Sequence, residues 1–292
     1  MGTDVILRQL MSGLSGGAIL FIIAGGLAII FGTLNIINLA HGSLYMLAGF
    51  LCFQITSWLS SVSGNYWISL LIAPLVVALV GGIIEVFLIR RIYNVHMLFQ
   101  LVLTFALIFV IQDVVRFIWG TRLYSVSTPW PFGTRVAILG LKFPIYQFFL
   151  IVVAILVFFG ISALMHYTKL GRTVRAVTAN RDMANALGIN VPMIYTVVFM
   201  LGCWLAGLAG TLLPPMSVVA LGKDMDVLIN CFIVVVIGGL GSLPGAFIGA
   251  MILGVVTSFG IAVLPRMAIA FGFILMAIVL IFRPYGLMGR PD

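Results

Sequence analysis

Charge is what this sequence lacks. Of 292 residues, 15 are Lys or Arg and 7 are Asp or Glu, 8% in all, against about 25% in soluble domains. A soluble globular enzyme would need that missing charge on its surface, and a disordered chain would need it more. Both classes are excluded. Metal-site spacing is also missing: with three His and three Cys, no His-Glu-x-x-His or Cys-x-x-Cys occurs. Cys52, Cys203 and Cys231 lie in apolar stretches and read as buried free thiols. There is no Gly-x-x-x-x-Gly-Lys-Ser/Thr loop, because the three lysines are followed by Phe143, Leu170 and Asp224. The chain therefore has no such motif with which to bind ATP. No dense basic cluster is interleaved with aromatics, which argues against a nucleic-acid partner. Acids and His are too few and too scattered for a membrane hydrolase.

What is present is apolar: 63% hydrophobic residues and a mean hydropathy of +1.29. Residues 9–84 contain no Asp, Glu, Lys or Arg, and neither do 92–112, 143–168, 183–222, 227–265 and 267–282. A helix crosses the hydrocarbon core with roughly 20 apolar residues. Backbone polar groups in lipid must be satisfied internally, so spans are helices or barrel strands. Runs such as 148–160 (FFLIVVAILVFFG) do not alternate apolar with polar as barrel strands do. The reading is an all-α, polytopic transmembrane bundle, a single domain over 1–292, surrounded by membrane lipid. About eight spans are expected, near 10–33, 43–60, 66–89, 97–119, 144–166, 194–214, 227–256 and 267–283. The first resembles a signal peptide but is too long, and is expected to stay as an uncleaved span.

Two polar interruptions break the pattern. One is Asn35-Ile-Ile-Asn38-Leu-Ala-His41-Gly42-Ser43, the other Gly238-Gly239-Leu240-Gly241-Ser242-Leu243-Pro244-Gly245. Each holds Gly-Ser-Leu, at 42–44 and 241–243, ahead of an apolar segment with spaced glycines, which gives a weak internal repeat. Broken helices at matching positions of two halves are a pointer to a transport path. Asn35, Asn38, His41, Gly42, Ser43, Gly238, Gly239, Gly241 and Ser242 are thus candidate path residues. The bland alternative, turns at the membrane surface, stays open for both.

Residues 168–193 form the one long polar stretch with a helical pattern, carrying Lys169, Arg172, Arg175, Arg181 and Asp182. The positive-inside rule puts it in the cytoplasm. Val174, Val177, Ala184 and Leu187 fall near one face, and Gly188 is placed to stop the helix. Such a stripe would lie on lipid or in a partner's groove. Counting outward, Arg90, Arg91 and His96 fall inside, and the loops 120–142 and 215–226 fall outside, the latter with Lys223, Asp224 and Asp226. The tail with Arg283 and Arg290 is inside by charge, although two crossings after 226 would leave it outside. A rival to ATP-driven transport is ion-coupled transport, whose candidate groups are Glu85, Asp113 and His41. Simpler roles stand beside each: Glu85, one turn before Arg90 and Arg91 near a span end, reads as an interfacial carboxylate, Asp113 pairs with Arg116 three residues on, and His41 is a hydrogen-bonded structural residue.

A resemblance now becomes visible. Gly26-Leu27-Ala28-Ile29-Ile30-Phe31-Gly32 followed by Ile37-Asn38-Leu39-Ala40-His41-Gly42 is similar to the N-terminal signature of ABC-importer permeases for branched-chain amino acids, the LivH type. Gly171-Arg172-Thr-Val-Arg175-Ala176 with Ala184 and Gly188-Ile189-Asn190 resembles that family's cytoplasmic loop. Ala206-Gly207-Leu208-Ala209-Gly210 and Gly238–Ala246 resemble its later motifs, in family order. One departure is Ser43, where many relatives carry Glu after His-Gly. Urea permeases resemble the same family, so urea or another small polar solute is the alternative cargo. The resemblance implies a bacterial inner-membrane permease working with a second, homologous permease, two cytoplasmic ATPase subunits and a periplasmic binding protein. ATP and Mg would then sit on the ATPases, with no cofactor or metal on this chain. It also implies that the 172–188 helix is the ATPase-coupling element. Arg172, Arg175, Arg181 and Asp182 would lie at the rim there, with Val177, Ala184 and Leu187 as buried contacts and Gly188 as the stop.

Overall fold

The computed structural model describes residues 2–62, 64–93, 95–138 and 140–289; Arg290 lies outside them. Among the described residues, eleven α-helices run in the order α1 (Thr3–Leu34), α2 (His41–Trp58), α3 (Asn65–Phe87), α4 (Met97–Trp119), α5 (Ile145–Tyr167), α6 (Lys169–Ala179), α7 (Arg181–Ala186), α8 (Val191–Leu212), α9 (Lys223–Gly238), α10 (Leu243–Val263) and α11 (Ala268–Phe282). A hairpin of β1 (Arg135–Ile138) and β2 (Leu141–Pro144) precedes α5, with Arg135 opposite Pro144. Six helices, α1, α3, α4, α5, α8 and α10, are long and apolar enough to cross a membrane. The molecule is an all-α polytopic bundle.

The axis of the bundle is α1. Almost every residue from Ala18 to Ile30 is buried, on all sides of the helix, as expected for a helix enclosed by others. Between helices in lipid the hydrophobic effect supplies no force, so close contact depends on small residues. α10 runs antiparallel to α1 on such a seam. A Cβ added at Gly254 would stand 2.4 Å from the Gly13 carbonyl oxygen, and one at Gly17 would stand 2.8 Å from the Ala250 carbonyl oxygen. Further along, the Ser258 hydroxyl lies 2.8 Å from the Gln9 carbonyl. α8 crosses the other side, where a Cβ at Gly26 would meet the Gly202 carbonyl at 2.6 Å.

The two ends of the bundle are built differently. At one end, the last carbonyls of α8 have no partner within their helix. The Tyr146 hydroxyl donates to the Leu212 carbonyl at 2.8 Å and lies 2.7 Å from the Tyr66 hydroxyl, which is 3.1 Å from the Thr211 carbonyl. This end, called distal below, also carries the hairpin and the loop after α4, where Tyr124 and Val219 exchange backbone hydrogen bonds of 3.0 and 2.8 Å. The opposite end carries α6 and α7.

Several boundaries differ from the sequence expectation, beginning with α1, which starts at Thr3 rather than near 10. The apolar run 227–256 is not one span but α9 and α10, joined at 239–242. Gly239 and Gly241 have φ of +99° and +80°, conformations that L side chains rarely adopt. With α11 this makes three helices after residue 222, so the tail returns to the α6 end. There the Leu287 and Met288 amides donate to the Ile237 and Gly238 carbonyls at 2.8 and 3.0 Å. The arm at 168–190 is likewise two helices: Asn180 leaves helical geometry (φ −158°, ψ 105°), and its side chain accepts from the Met183 amide to start α7. Gly188, at φ +83°, ends α7. Its amide donates to Asn185 and the Ile189 amide to Ala184, at 3.0 and 3.1 Å, a Schellman closure.

Candidate transport site

The first interruption is shorter than expected, since His41, Gly42 and Ser43 already belong to α2. Only 35–40 are non-helical, and they carry the chain back into the bundle. Asn35 adopts a left-handed conformation (φ 53°) and stays exposed at the end of α1. His41 is fully buried, and its Nε2–H donates to the Ile23 carbonyl at 3.0 Å. Ile23 is eleven residues from the end of α1, or ~16 Å at 1.5 Å per residue. α2 therefore begins at mid-depth.

α9 begins at the same depth from the other side. After α8, the segment 213–222 turns back inward: Val219 still pairs with Tyr124 in the distal loop, yet Asp224 lies against α2. A Cβ at Gly42 would stand 2.4 Å from the Asp224 backbone oxygen. This overturns the placement of Asp224 in an outer loop, for it is 1% exposed. Its Oδ2 accepts from the Ser43 hydroxyl and from Gln112 Nε2 of α4, both at 2.7 Å. Neither half-helix has a side-chain N-cap, so two positive helix ends converge on this carboxylate, a favourable arrangement. Four buried polar atoms here have no hydrogen-bond partner: Asn38 Nδ2, Asn38 Oδ1, His41 Nδ1 and Asp224 Oδ1. Gly42 and Ser43 meet Asp224 and Gln112, which the fold adds, while His41 turns to the Ile23 carbonyl of α1 and Asn38 lies buried three residues before it. The signal in the sequence is Pro214-Pro215, which ends α8, followed by an uncharged stretch too short to cross before Lys223. Non-helical backbone at membrane depth is buried in protein or lines a cavity.

The second interruption lies elsewhere, ~20 Å down α9 from Asp224. Gly238 is packed on Gly245, Gly239 on Gly289 and Gly241 on Gly32. Ser242 caps α10 by accepting from the Gly245 amide at 3.2 Å. The two Gly-Ser-Leu triplets therefore differ in use: Ser242 is a helix cap, while Ser43 reaches across the bundle to Asp224.

A cavity of about 510 Å³ opens between α1, α9 and α10. Its rim holds exposed Ser12, Gly16 and Ile261, its walls Gln9, Asn230, Thr257 and Ser258, and its floor buried Ile23 and Tyr45 with Val227. The floor adjoins the polar cluster directly: Ile23 holds His41, and Val227 follows Asp224 by three residues.

On the arm, Val174, Val177 and Ala184 are buried against the bundle itself, as is Gly171. Val177 and Ala184 are thus already covered. Leu187 and Met183 are 74% and 58% exposed. Arg172, Arg175, Arg181 and Asp182 are exposed, with Arg175 bonded to the Met165 carbonyl and Arg181 stacked 5.6 Å over the Tyr195 ring. Tyr195 meets Tyr93 edge-on at 5.2 Å. Tyr93 donates to Glu85, a buried carboxylate that also receives Arg90 and the Thr196 hydroxyl. Burial, then the Glu85 bond, hold the Tyr93 phenol well above its usual range, so it stays a donor. Asp113 and Arg116 are both exposed.

The family model for the branched-chain amino acid transport system / permease component matches residues 9–282. The chain belongs to this family. Among curated relatives, the high-affinity branched-chain amino acid transport system permease protein BraD of Pseudomonas aeruginosa is 30% identical over 299 residues, covering 98% of this chain and 96% of the relative. LivH of Escherichia coli, a permease protein of the same description, is 28% identical over 298 residues with the same coverage. A probable branched-chain amino acid transport permease protein of Methanocaldococcus jannaschii is 32% identical over 148 residues, 47% of this chain and 46% of that one. No solved structure matches. Family membership and the apolar helices together make this a multi-pass membrane permease.

Proposed function

We propose that this chain is the permease subunit of an ATP-driven importer for branched-chain amino acids in a bacterial inner membrane. The observation that carries the reading is the α6–α7 arm, in a permease with no phosphate loop of its own. Its apolar stripe is used on the bundle, yet Met183 and Leu187 remain bare beside Arg172 and Asp182. Those two side chains are the anchors that a groove on a cytoplasmic ATPase would take, with the charges on the rim setting register and association rate. ATP and Mg belong to two such ATPase subunits. The distal end faces the periplasm and the substrate-binding protein, with exposed Trp130 and the β1–β2 hairpin as its contact surface.

The cavity supports a second, homologous permease as partner. Gln9, Ser12, Asn230, Thr257 and Ser258 would be costly against lipid, and a permease seated over α1 and α10 would enclose them as a path. Closure of the ATPases would push the arm, and the Arg181–Tyr195–Tyr93–Glu85 contacts would pass the motion to α3 and α8.

The test is a double substitution, Met183→Asp with Leu187→Asp. Two buried anchors lost from an interface should cut ATPase co-purification by roughly a hundredfold and abolish ATP-driven leucine uptake in proteoliposomes, while insertion and melting temperature hold. Normal co-purification with normal uptake would overturn the assignment.

A further inference from the structure

The four unpartnered atoms between the cavity floor and the α2–α9 junction have a chemistry of their own. His41 Nε2–H is committed to the Ile23 carbonyl, so Nδ1 of the neutral ring is an acceptor. Asp224 Oδ1 is an acceptor beside an Oδ2 already filled by Ser43 and Gln112. Asn38 offers one further acceptor, Oδ1, and one donor, Nδ2. All three residues are 0–1% exposed. A buried polar group left unpaired costs free energy, so the set is poised for an occupant. In number and kind, three acceptors, one of them a carboxylate, with a single donor are the complement of a primary ammonium with its three N–H bonds beside one oxygen of a carboxylate.

We propose that Asn38, His41 and Asp224, immediately inward of the cavity floor, form the point on the path that selects solutes bearing an α-ammonium group. The inference rests on the permease reading and deepens it. The vestibule is uncharged and mostly apolar, with Gln9, Ser12, Asn230, Thr257 and Ser258 as its polar groups, so it does not itself select for charge. Beyond Tyr45 on its floor, a solute without an ammonium leaves the Asp224 carboxylate unmatched. Sites that hydrogen-bond a substrate group reject analogues lacking it, because their own buried groups are then left unpaired.

The experiment uses the complete importer with Val227→Cys, which places a thiol on the cavity floor while Cys52, Cys203 and Cys231 stay buried. A cationic methanethiosulfonate should modify it roughly tenfold faster than an anionic one, through the focused field of Asp224. Leucine at millimolar concentration should protect, and 4-methylpentanoate, the same skeleton without the ammonium, should not. Asp224→Asn should erase the charge preference and lower leucine uptake by roughly tenfold or more, the value of a charged hydrogen bond, with ATPase co-purification as the check on assembly. Equal protection by the two solutes, or equal rates for the two reagents, would overturn the proposal even if Asp224→Asn failed to assemble. Leucine uptake unaltered by Asp224→Asn would overturn it while leaving the permease reading intact. Urea uptake and protection, with none for leucine, would overturn both, and water alone in the site would give no protection by any solute.

Discussion

Gly254→Leu is expected to unfold the bundle, or to prevent its assembly. Even the first added carbon would lie 2.4 Å from the Gly13 carbonyl oxygen and 2.6 Å from the Gly17 amide nitrogen. Both are backbone atoms of a long helix, so neither can step aside as a flexible side chain would. Overpacking of a tight core costs about 1–3 kcal/mol even where neighbours can adjust, and here about 3 kcal/mol or more is expected. The measurement is the unfolding transition in detergent, with membrane yield beside it. Gly160 supplies the control. It sits on exposed α5 with no heavy atom within 4 Å of an added Cβ, and Gly160→Ala should leave stability the same or raise it by up to about 1 kcal/mol. If the two substitutions behave alike, the α1–α10 seam is not where the bundle is locked.

Glu85→Ala is expected to be the most damaging change at the α6 end. The Glu85 side chain is fully buried and receives the Arg90 guanidinium at 3.2 and 3.3 Å, the Thr196 hydroxyl at 2.6 Å and the Tyr93 phenol. Removing it strands the Tyr93 phenol and takes the carboxylate from Arg90 and Thr196, which keep only each other and the Pro192 carbonyl. Breaking a buried pair in this way costs about 3–5 kcal/mol when both partners are buried; Arg90 is 35% exposed, and screening brings the expectation to about 2–4 kcal/mol. Glu85→Met with Arg90→Met should recover part of the loss, because an apolar pair leaves no charge stranded. Transport separates this structural role from ion coupling. A proton-carrying Glu85 would give, on Glu85→Gln, a stable protein without uptake. A structural Glu85 gives a less stable protein whose folded fraction still transports. Melting curves and uptake measured on the same preparation decide between them.

Much of the architecture was legible because lipid makes one demand of a chain, a long run without charge. α4 begins and ends where its expected span does, carrying Asp113 and Arg116 in its last two turns, and α3, α5, α8 and α11 fall within three residues of the spans read from composition. The rule fails where two helices share one run. Nothing charged separates α9 from α10; the Gly-rich interruption at 238–245 marks the junction in the sequence, and the positive φ at Gly239 and Gly241 makes it a break between two helices. The site was legible by half. Asn38, His41 and Ser43 stand out as polar residues in an apolar setting. Asp224 does not, because an acid beside Lys223 and Asp226 reads as surface; its burial depends on a non-helical segment folding back between α8 and α9. Gln112, Thr196 and Tyr93 are single polar residues whose partners are set only by packing. The arm shows a further limit: its stripe was visible, but whether the stripe faces the molecule itself or another protein is a tertiary fact.

The pairing of α1 with α10 has a bearing on how the protein is made. α1 keeps its small-residue face for α10, a helix more than two hundred residues downstream and so synthesised much later. Until Gly254 has been synthesised, Gly13 and Gly17 have no mate, and the early helices wait beside the translocon with an open groove. Loss of the last two helices by premature termination would therefore strip the axis itself, and the truncated product should be a substrate for membrane quality-control proteases rather than a partly working permease.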